Sequence, residues 1–258
     1  MTANFHTHTA RCHHATGTDR EYVEKAIEIG ITELGFSDHM PQLYPKSEGK
    51  HFQMDLSEVG EYFKTITALK DEYKDKIKIY IGFEAEYYKG ITEKTLEFFK
   101  QYPIDYLVLG QHLLDTVDSE ISSEATTEKT HLTRYVNTVI SAIDTGLFSF
   151  IAHPDIIKYT PDDEFYYNEM KRLCVAAKSA EIPLECNMLG TGGFGNRQRH
   201  YPSERFFKIA AEVGNDVLIS ADAHSPEMLD NPKGYKMCLE ILEKSGIKPI
   251  QKPKLIKP

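Results

Sequence analysis

The stretch FHTHTARCHHA, Phe5 to Ala15, places four of the chain's eleven histidines within nine positions, beside a cysteine and an arginine. An unbroken histidine run would be a tag; this one is interrupted at spacings that can do chemistry. In an extended segment His6 and His8 point to the same face, because the strand period is two, so both can grip one ion. Asp222 and His224 in ISADAHSP repeat that spacing near the other end of the chain. Between them stand Asp38 and His39 in GFSDHMP, Glu84 in IGFEAE, His112 in LGQHLL and His153 in IAHPD. Imidazoles and carboxylates without a paired-cysteine motif suit Zn²⁺, Mn²⁺ or Fe²⁺ in a catalytic role better than a closed structural zinc. About nine candidate ligands are too many for one tetrahedral ion and suffice for two or three.

These residues need a scaffold that brings them together. Short apolar, β-branched runs alternate with longer amphipathic segments, the pattern of a parallel sheet with helical crossovers. Seven strands are predicted: Thr2–His6, Glu33–Ser37, Ile77–Phe83, Tyr106–Gly110, Phe148–Ala152, Ile182–Glu185 and Asp216–Ser220. Helical periodicity fills the gaps. One helix carries Tyr22, Val23, Ala26 and Ile27 and stops near Gly30; a second carries Val59, Phe63, Ile66 and Leu69; a third runs from Leu132 to Ile140. Others are expected over Tyr166–Ala180, over Arg205–Val213 after Pro202-Ser203, and over Met237–Leu242. The polar run Asp115–Lys129 reads as a long exposed loop, and residues 245–258 as a surface tail. With no internal repeat or Gly/Ser-rich linker, residues 1–258 are expected to form a single α/β domain, a barrel rather than an open sheet.

On that map nearly every strand ends in a metal-competent side chain, always at its C-terminal end. In a parallel barrel those ends open onto one face, where active sites lie. A lone histidine at a strand end is ordinarily structural or solvated, but burying so many imidazoles without partners would be costly, and metals would satisfy them. His51, His131 and His200 fall away from the strand ends.

Composition narrows the partners. At 258 residues the chain can bury one sizeable core, and 41% hydrophobic with 27% charged residues is ordinary for a soluble globular protein. A net charge of −9 argues against a nucleic-acid backbone or an anionic membrane as the main partner. Four scattered cysteines with no CxxC pair read as reduced thiols. No signal-peptide pattern and no apolar run of about 18 residues is found, so the protein is expected to be cytoplasmic.

The same motifs resemble the PHP (polymerase and histidinol phosphatase) family. Its N-terminal HxH, a further histidine in the same loop, a DH after strand 2, a GxE, two isolated histidines and a terminal DxH occur here in order, from residue 6 to residue 224. The resemblance implies a distorted (β/α)7 barrel of the TIM-like type. It implies a trinuclear centre: His6, His8, Asp222 and a bridging Glu84 at the first ion; Glu84, His112 and His153 at the second; His14, His39 and His224 at the third. Within the family, HTARCHHA is similar to the HTxxCxHG of the histidinol-phosphatase branch, with His14 in the ligand place and His13 as a neighbour. TDREYVEKAIEIGITELGFSDHMP, HPDIIKY and RHYPSERFFKIA resemble the same branch.

The implied activity is hydrolysis of a small phosphomonoester, L-histidinol phosphate, in histidine biosynthesis. A metal-bridging hydroxide would attack phosphorus in line, and Asp38 and a metal-bound water are the candidate acids for the leaving alkoxide. A PHP-type esterase acting on another small monoester or on short nucleotides is the alternative. Phosphate recognition calls for an arginine fork. Arg197 is the first candidate and Arg199 the second, in GTGGFGNRQRHYP after strand 6, with Lys158 as a further cation. Asp19 or Glu86 are candidates for meeting a cationic amine on the substrate.

Overall fold

The computed structural model describes residues 1–43, 52–114, 121–192 and 199–258. Seven strands form one parallel sheet in chain order: β1 (Ala3–Asn4), β2 (Glu33–His39), β3 (Lys78–Ala85), β4 (Tyr106–Leu109), β5 (Phe150–Ile151), β6 (Leu184–Asn187) and β7 (Val217–Ser220). The last strand returns to the first. Thr7 bridges Ala223, His8 N–H donates to the Ala223 carbonyl, and Ala221 N–H donates to Asn4 Oδ1 at 2.8 Å. The sheet is therefore a nearly closed barrel, with helices α1 (Asp19–Glu28), α2 (Val59–Glu72), α3 (Ile91–Phe99), α4 (Lys129–Ile143), α5 (Glu164–Ser179), α6 (Glu204–Val213) and α7 (Pro232–Lys244) around it.

The helices begin and end where local chemistry dictates. Thr18 and Glu21 form a capping box on α1, each side chain accepting from the other's backbone N–H. Asn231 caps α7, where Pro232 occupies the first helical position. Helix α3 has no counterpart among the expected elements. Its buried face is made of Thr92, Thr95 and Phe99, so the apolar periodicity that marks the other helices is missing.

Alternation along the strands separates two cores. Leu34 and Phe36 of β2, Ile79, Ile81 and Phe83 of β3 and Leu107 and Leu109 of β4 face the helices. Ala3, Phe5, Tyr106, Val108, Phe150, Ala152 and Leu218 fill the barrel. Tyr106 is the central plug, its hydroxyl lying 2.9 Å from the Phe5 carbonyl and 3.1 Å from that of Phe36. Its ring fits because Gly82 opposes it; a Cβ there would lie 2.6 Å from the ring.

Two surface segments are anchored to the barrel. Residues 245–258 run along the surface and are tied down: Ile250 bridges Leu218, Leu255 packs on the inner core, and Ile256 N–H donates to Ser149 Oγ. With Lys252 on Glu33, this segment covers the N-terminal ends of the strands, because an open barrel end would leave Phe5 and Tyr106 facing water. The run after β4 also folds back. Residues 115–120 lie outside the described residues, but Ser122 pairs with Leu113, and fully buried Ser123 donates its hydroxyl to the Gln111 carbonyl.

Candidate metal centre

The C-terminal ends of the strands converge on one carboxylate. Oε1 of Glu84, from β3, lies 3.0 Å from His153 Nε2, 3.5 Å from His112 Nε2 and 3.6 Å from His6 Nε2. Its Oε2 lies 3.0 Å from His39 Nδ1 and 3.6 Å from His8 Nε2. Asp222 adds a second anion, with Oδ1 3.1 Å from His8 Nε2 and 3.5 Å from His6 Nε2. His14 arrives from the loop after β1, its Nε2 3.1 Å from Nε2 of His224. The sets His6–His8–Asp222, His6–Glu84–His153 and His8–His39–His224 each bring three ligand atoms within 4.8 Å of one another. Two of these residues, His153 (φ +28°) and Asp222 (φ +49°), have left-handed backbone conformations, sparsely populated for non-glycine residues and common at functional sites.

Several hydrogen bonds fix which ring nitrogen faces inward. His6 Nδ1 meets a Glu185 oxygen at 2.8 Å, His14 Nδ1 the Cys12 carbonyl at 2.6 Å, and His224 Nδ1 the Asp222 carbonyl at 3.1 Å. Each partner only accepts, so each Nδ1 donates, and in the neutral ring the Nε2 lone pair is left aimed at the centre. There the lone pairs meet other acceptors: His6 against Glu84 and Asp222, and His14 against His224. Oε2 of Glu84 and Oδ1 of Asp222 are buried without a directed hydrogen bond. Such an arrangement repels itself unless cations lie between the groups, so the donor set fits divalent metals.

The electrostatics carry the same imprint. Burial alone would raise the Glu84 carboxyl, but the charges of His112, His6 and His39 hold it well below the ordinary range. Burial likewise raises Asp222, and His6 and His8 reverse this. Burial lowers His6, and the charges of Asp222, Glu185 and Glu84 outweigh it, raising the ring well above its usual value. His112 is pushed down to about 3, chiefly by burial.

The cluster floors a cavity of about 460 Å³ whose walls include Phe52, Leu113, Ile156, Leu189 and Tyr201. Phe52 stands edge-on to His39, with ring centroids 5.1 Å apart. At the mouth Arg199 donates to Glu124 and, at 3.2 Å, to Tyr201 Oη.

The expected site residues thus divide. His6, His8, His14, His39, Glu84, His112, His153, Asp222 and His224 come together, and Arg199 lines the same cavity. His13 is exposed and closes the 3-10 turn Ala10–Cys12, turned away from the centre. Arg197 lies outside the described residues. Lys158 is exposed and does not line the cavity. Asp19 is held by both guanidinium nitrogens of Arg11 at 2.9 Å and lines a different groove, so it cannot meet a substrate amine. Glu86 is buried and accepts the backbone N–H groups of His112 and Leu113. Asp38 also departs from its expected role as acid. Strand alternation turns it away from the cavity, behind His8 Nδ1 at 3.5 Å. Burial raises its carboxyl, but His8 and the Thr9 hydroxyl bring it below the usual range, which suits a fixed negative charge behind the His8 ring.

Sequence reasoning missed Glu185, Asn187 and Glu124. The first two had a signal: in LECN they alternate with Leu184 and Cys186, putting two polar side chains on one face of a buried strand. Glu124, within a polar run, had none.

The family described as PHP domain matches residues 4–188. A Deinococcus radiodurans protein named "Probable histidinol-phosphatase" is 31% identical over 231 residues, covering 86% of this chain and 85% of its own. A Schizosaccharomyces pombe protein of the same name is 24% identical over 275 residues, covering 96% and 88%. The structure of histidinol phosphate phosphatase from Lactococcus lactis, complexed with zinc, L-histidinol and phosphate, shares the fold with a TM-score of 0.72 at 19% identity, over 96% of this chain and 95% of that one. No helix among the described residues is long and apolar enough to cross a membrane.

Proposed function

Because the chain belongs to the PHP domain family, we propose that it is a metal-dependent phosphomonoesterase that hydrolyses L-histidinol phosphate to L-histidinol and phosphate. The observation that carries this reading is the convergence of seven imidazoles on Glu84 and Asp222 at the floor of the cavity. The names of the full-length relatives supply the substrate. We read residues 1–258 as one catalytic unit working in the cytoplasm, which agrees with four buried free cysteines.

Three divalent ions are proposed, zinc among the candidates with manganese and iron. His6, His8 and Asp222 would hold the first with Glu84; His112 and His153 the second, again with Glu84; His14, His39 and His224 the third. When bound, such ions act as Lewis acids on phosphoryl oxygens and bring the pKa of water down toward about 7. The chain's own residues do the rest. Asn187 holds Asp222 Oδ2 at 3.0 Å, which turns Oδ1 toward the cluster. Tyr201 and the Glu124 carboxylate hold Arg199 at the rim, where its planar fork can take the phosphate oxygens as the ester enters. Among the described residues Glu124 is the cavity-lining acid that stands apart from the metal cluster, and its carboxylate, shared with Arg199, suits a cationic group on the leaving alcohol. The apolar walls of Leu113, Ile156 and Leu189 would take the body of that alcohol and exclude water.

The test is phosphate release from L-histidinol phosphate, a phosphomonoester of an alcohol with no amine, and a phosphodiester, with metal analysis of the same sample. Histidinol phosphate should be preferred, and chelation should remove activity. Preference for the diester, or full activity in metal-stripped protein, would sink the reading. In the same assay Arg199→Ala should raise KM about 10–100-fold for every monoester, the worth of a charge-assisted pair. Glu124→Gln, which also loosens Arg199, should raise it for every monoester and most for histidinol phosphate.

A further inference from the structure

β6 is the one strand whose end supplies none of the proposed ligands, yet its inward side chains are fully buried against the cluster. Glu185 Oε1 accepts from His6 Nδ1 at 2.8 Å. Its Oε2 accepts from the backbone N–H of His153 at 2.8 Å and from Asn187 Nδ2 at 2.8 Å. Asn187 in turn donates to Asp222 Oδ2 at 3.0 Å. One carboxylate therefore touches a ligand ring, the backbone of a second ligand and, through Asn187, the side chain of a third.

We infer that Glu185 is the positioning residue that selects the metal-binding tautomer of His6 and ties the first two ion sites together. The reasoning rests on the reading of His6, His153 and Asp222 as ligands. Three donors face Glu185, and only a carboxylate can accept from all of them. By keeping the proton on His6 Nδ1 it leaves the Nε2 lone pair toward the cluster, and a carboxylate partner also makes that nitrogen a stronger ligand. A glutamine of the same shape cannot do this. With its carbonyl kept toward His153 and Asn187, its NH₂ would confront His6 Nδ1. The ring would then accept at Nδ1 and carry its proton on Nε2, pointing N–H at the ion.

Two measurements test this. In zinc-loaded wild type, ¹⁵N-resolved NMR should show His6 with a protonated, slowly exchanging Nδ1. A His6 without that proton overturns the inference whatever any variant does. In Glu185→Gln that signal should be lost, and chelator competition should show metal affinity falling about 10–100-fold. At saturating metal, kcat should fall while KM changes little. Wild-type affinity and an intact Nδ1–H signal in Glu185→Gln would refute the role. Wild type that binds no divalent metal would instead refute the reading beneath it, so the two failures are distinguishable.

Discussion

Glu84→Gln loses bound metal and drops kcat by at least about 10³-fold, at the upper end of what removing one preorganised charge costs an enzyme. The expectation follows from position. Glu84 sits within 3.6 Å of five imidazole rings, and no other side chain among the described residues faces so many. Glutamine preserves the shape but replaces one oxygen with an NH₂. Oε1 faces Nε2 of His153, His112 and His6, while Oε2 faces His39 and His8, so either orientation puts an N–H against nitrogens needed as ligands. The charge lost is one that every neighbouring imidazole feels, and two of the proposed ions share it. The barrel should stay folded, because Glu84 takes no part in the apolar cores around Tyr106 and Phe83. Metal content per chain, kcat and the thermal midpoint, measured on one preparation, check this. A Glu84→Gln protein with wild-type metal content and turnover would show that the shared-carboxylate assignment is wrong.

Gly110→Ala is the second large effect, and it leaves every proposed ligand residue unsubstituted. A Cβ at Gly110 would lie 1.9 Å from Glu84 Oε1 and 2.6 Å from its Cγ. No rotation relieves a contact that short while Glu84 stays in place, and the register of β3 on β4 pairs Glu84 with Val108 and fixes the two backbones. The carboxylate must therefore leave the centre. Activity and metal occupancy should fall together, by about 10²-fold or more, consistent with losing a preorganised electrostatic group. Stability should fall less dramatically, by about 1–3 kcal/mol for an overpacked site, or a few degrees in Tm. Gly60→Ala in α2 is the matched control: its nearest outside atom is the Tyr102 hydroxyl at 3.9 Å, and it should keep full activity. If Gly110→Ala matched that control in turnover and metal content, Glu84 would not need its observed position.

The two variants show where sequence reasoning stops. The histidines and acids were legible because each sits at the end of an apolar run, and strand ends in a parallel barrel open on one face. Glycine at 110 carried no message; only the packed carboxylate beside it makes a methyl group intolerable. Asp38 and His39 are adjacent in the chain and looked equally placed, yet alternation of β2 sends His39 to the cluster and Asp38 behind His8. Asp19 looked available until Arg11 was found on it. His13 and His14 differ by one residue, and the turn at Ala10–Cys12 brings one to His224 and leaves the other in solvent.

What the sequence by itself determined is periodicity: seven strands in order, the helices between them that have apolar faces, and a metal-competent side chain at nearly every strand end. These are properties of neighbouring residues, written in spacings of two or about 3.6. Only the tertiary structure decided which of those side chains meet, that Glu185 on β6 and Glu124 at the rim join them, and that residues 245–258 cover the barrel's far end. Those outcomes depend on distances between residues such as His6 and Glu185, 179 positions apart and 2.8 Å from contact to contact. Closure of the sheet sets such distances, and no local pattern encodes them.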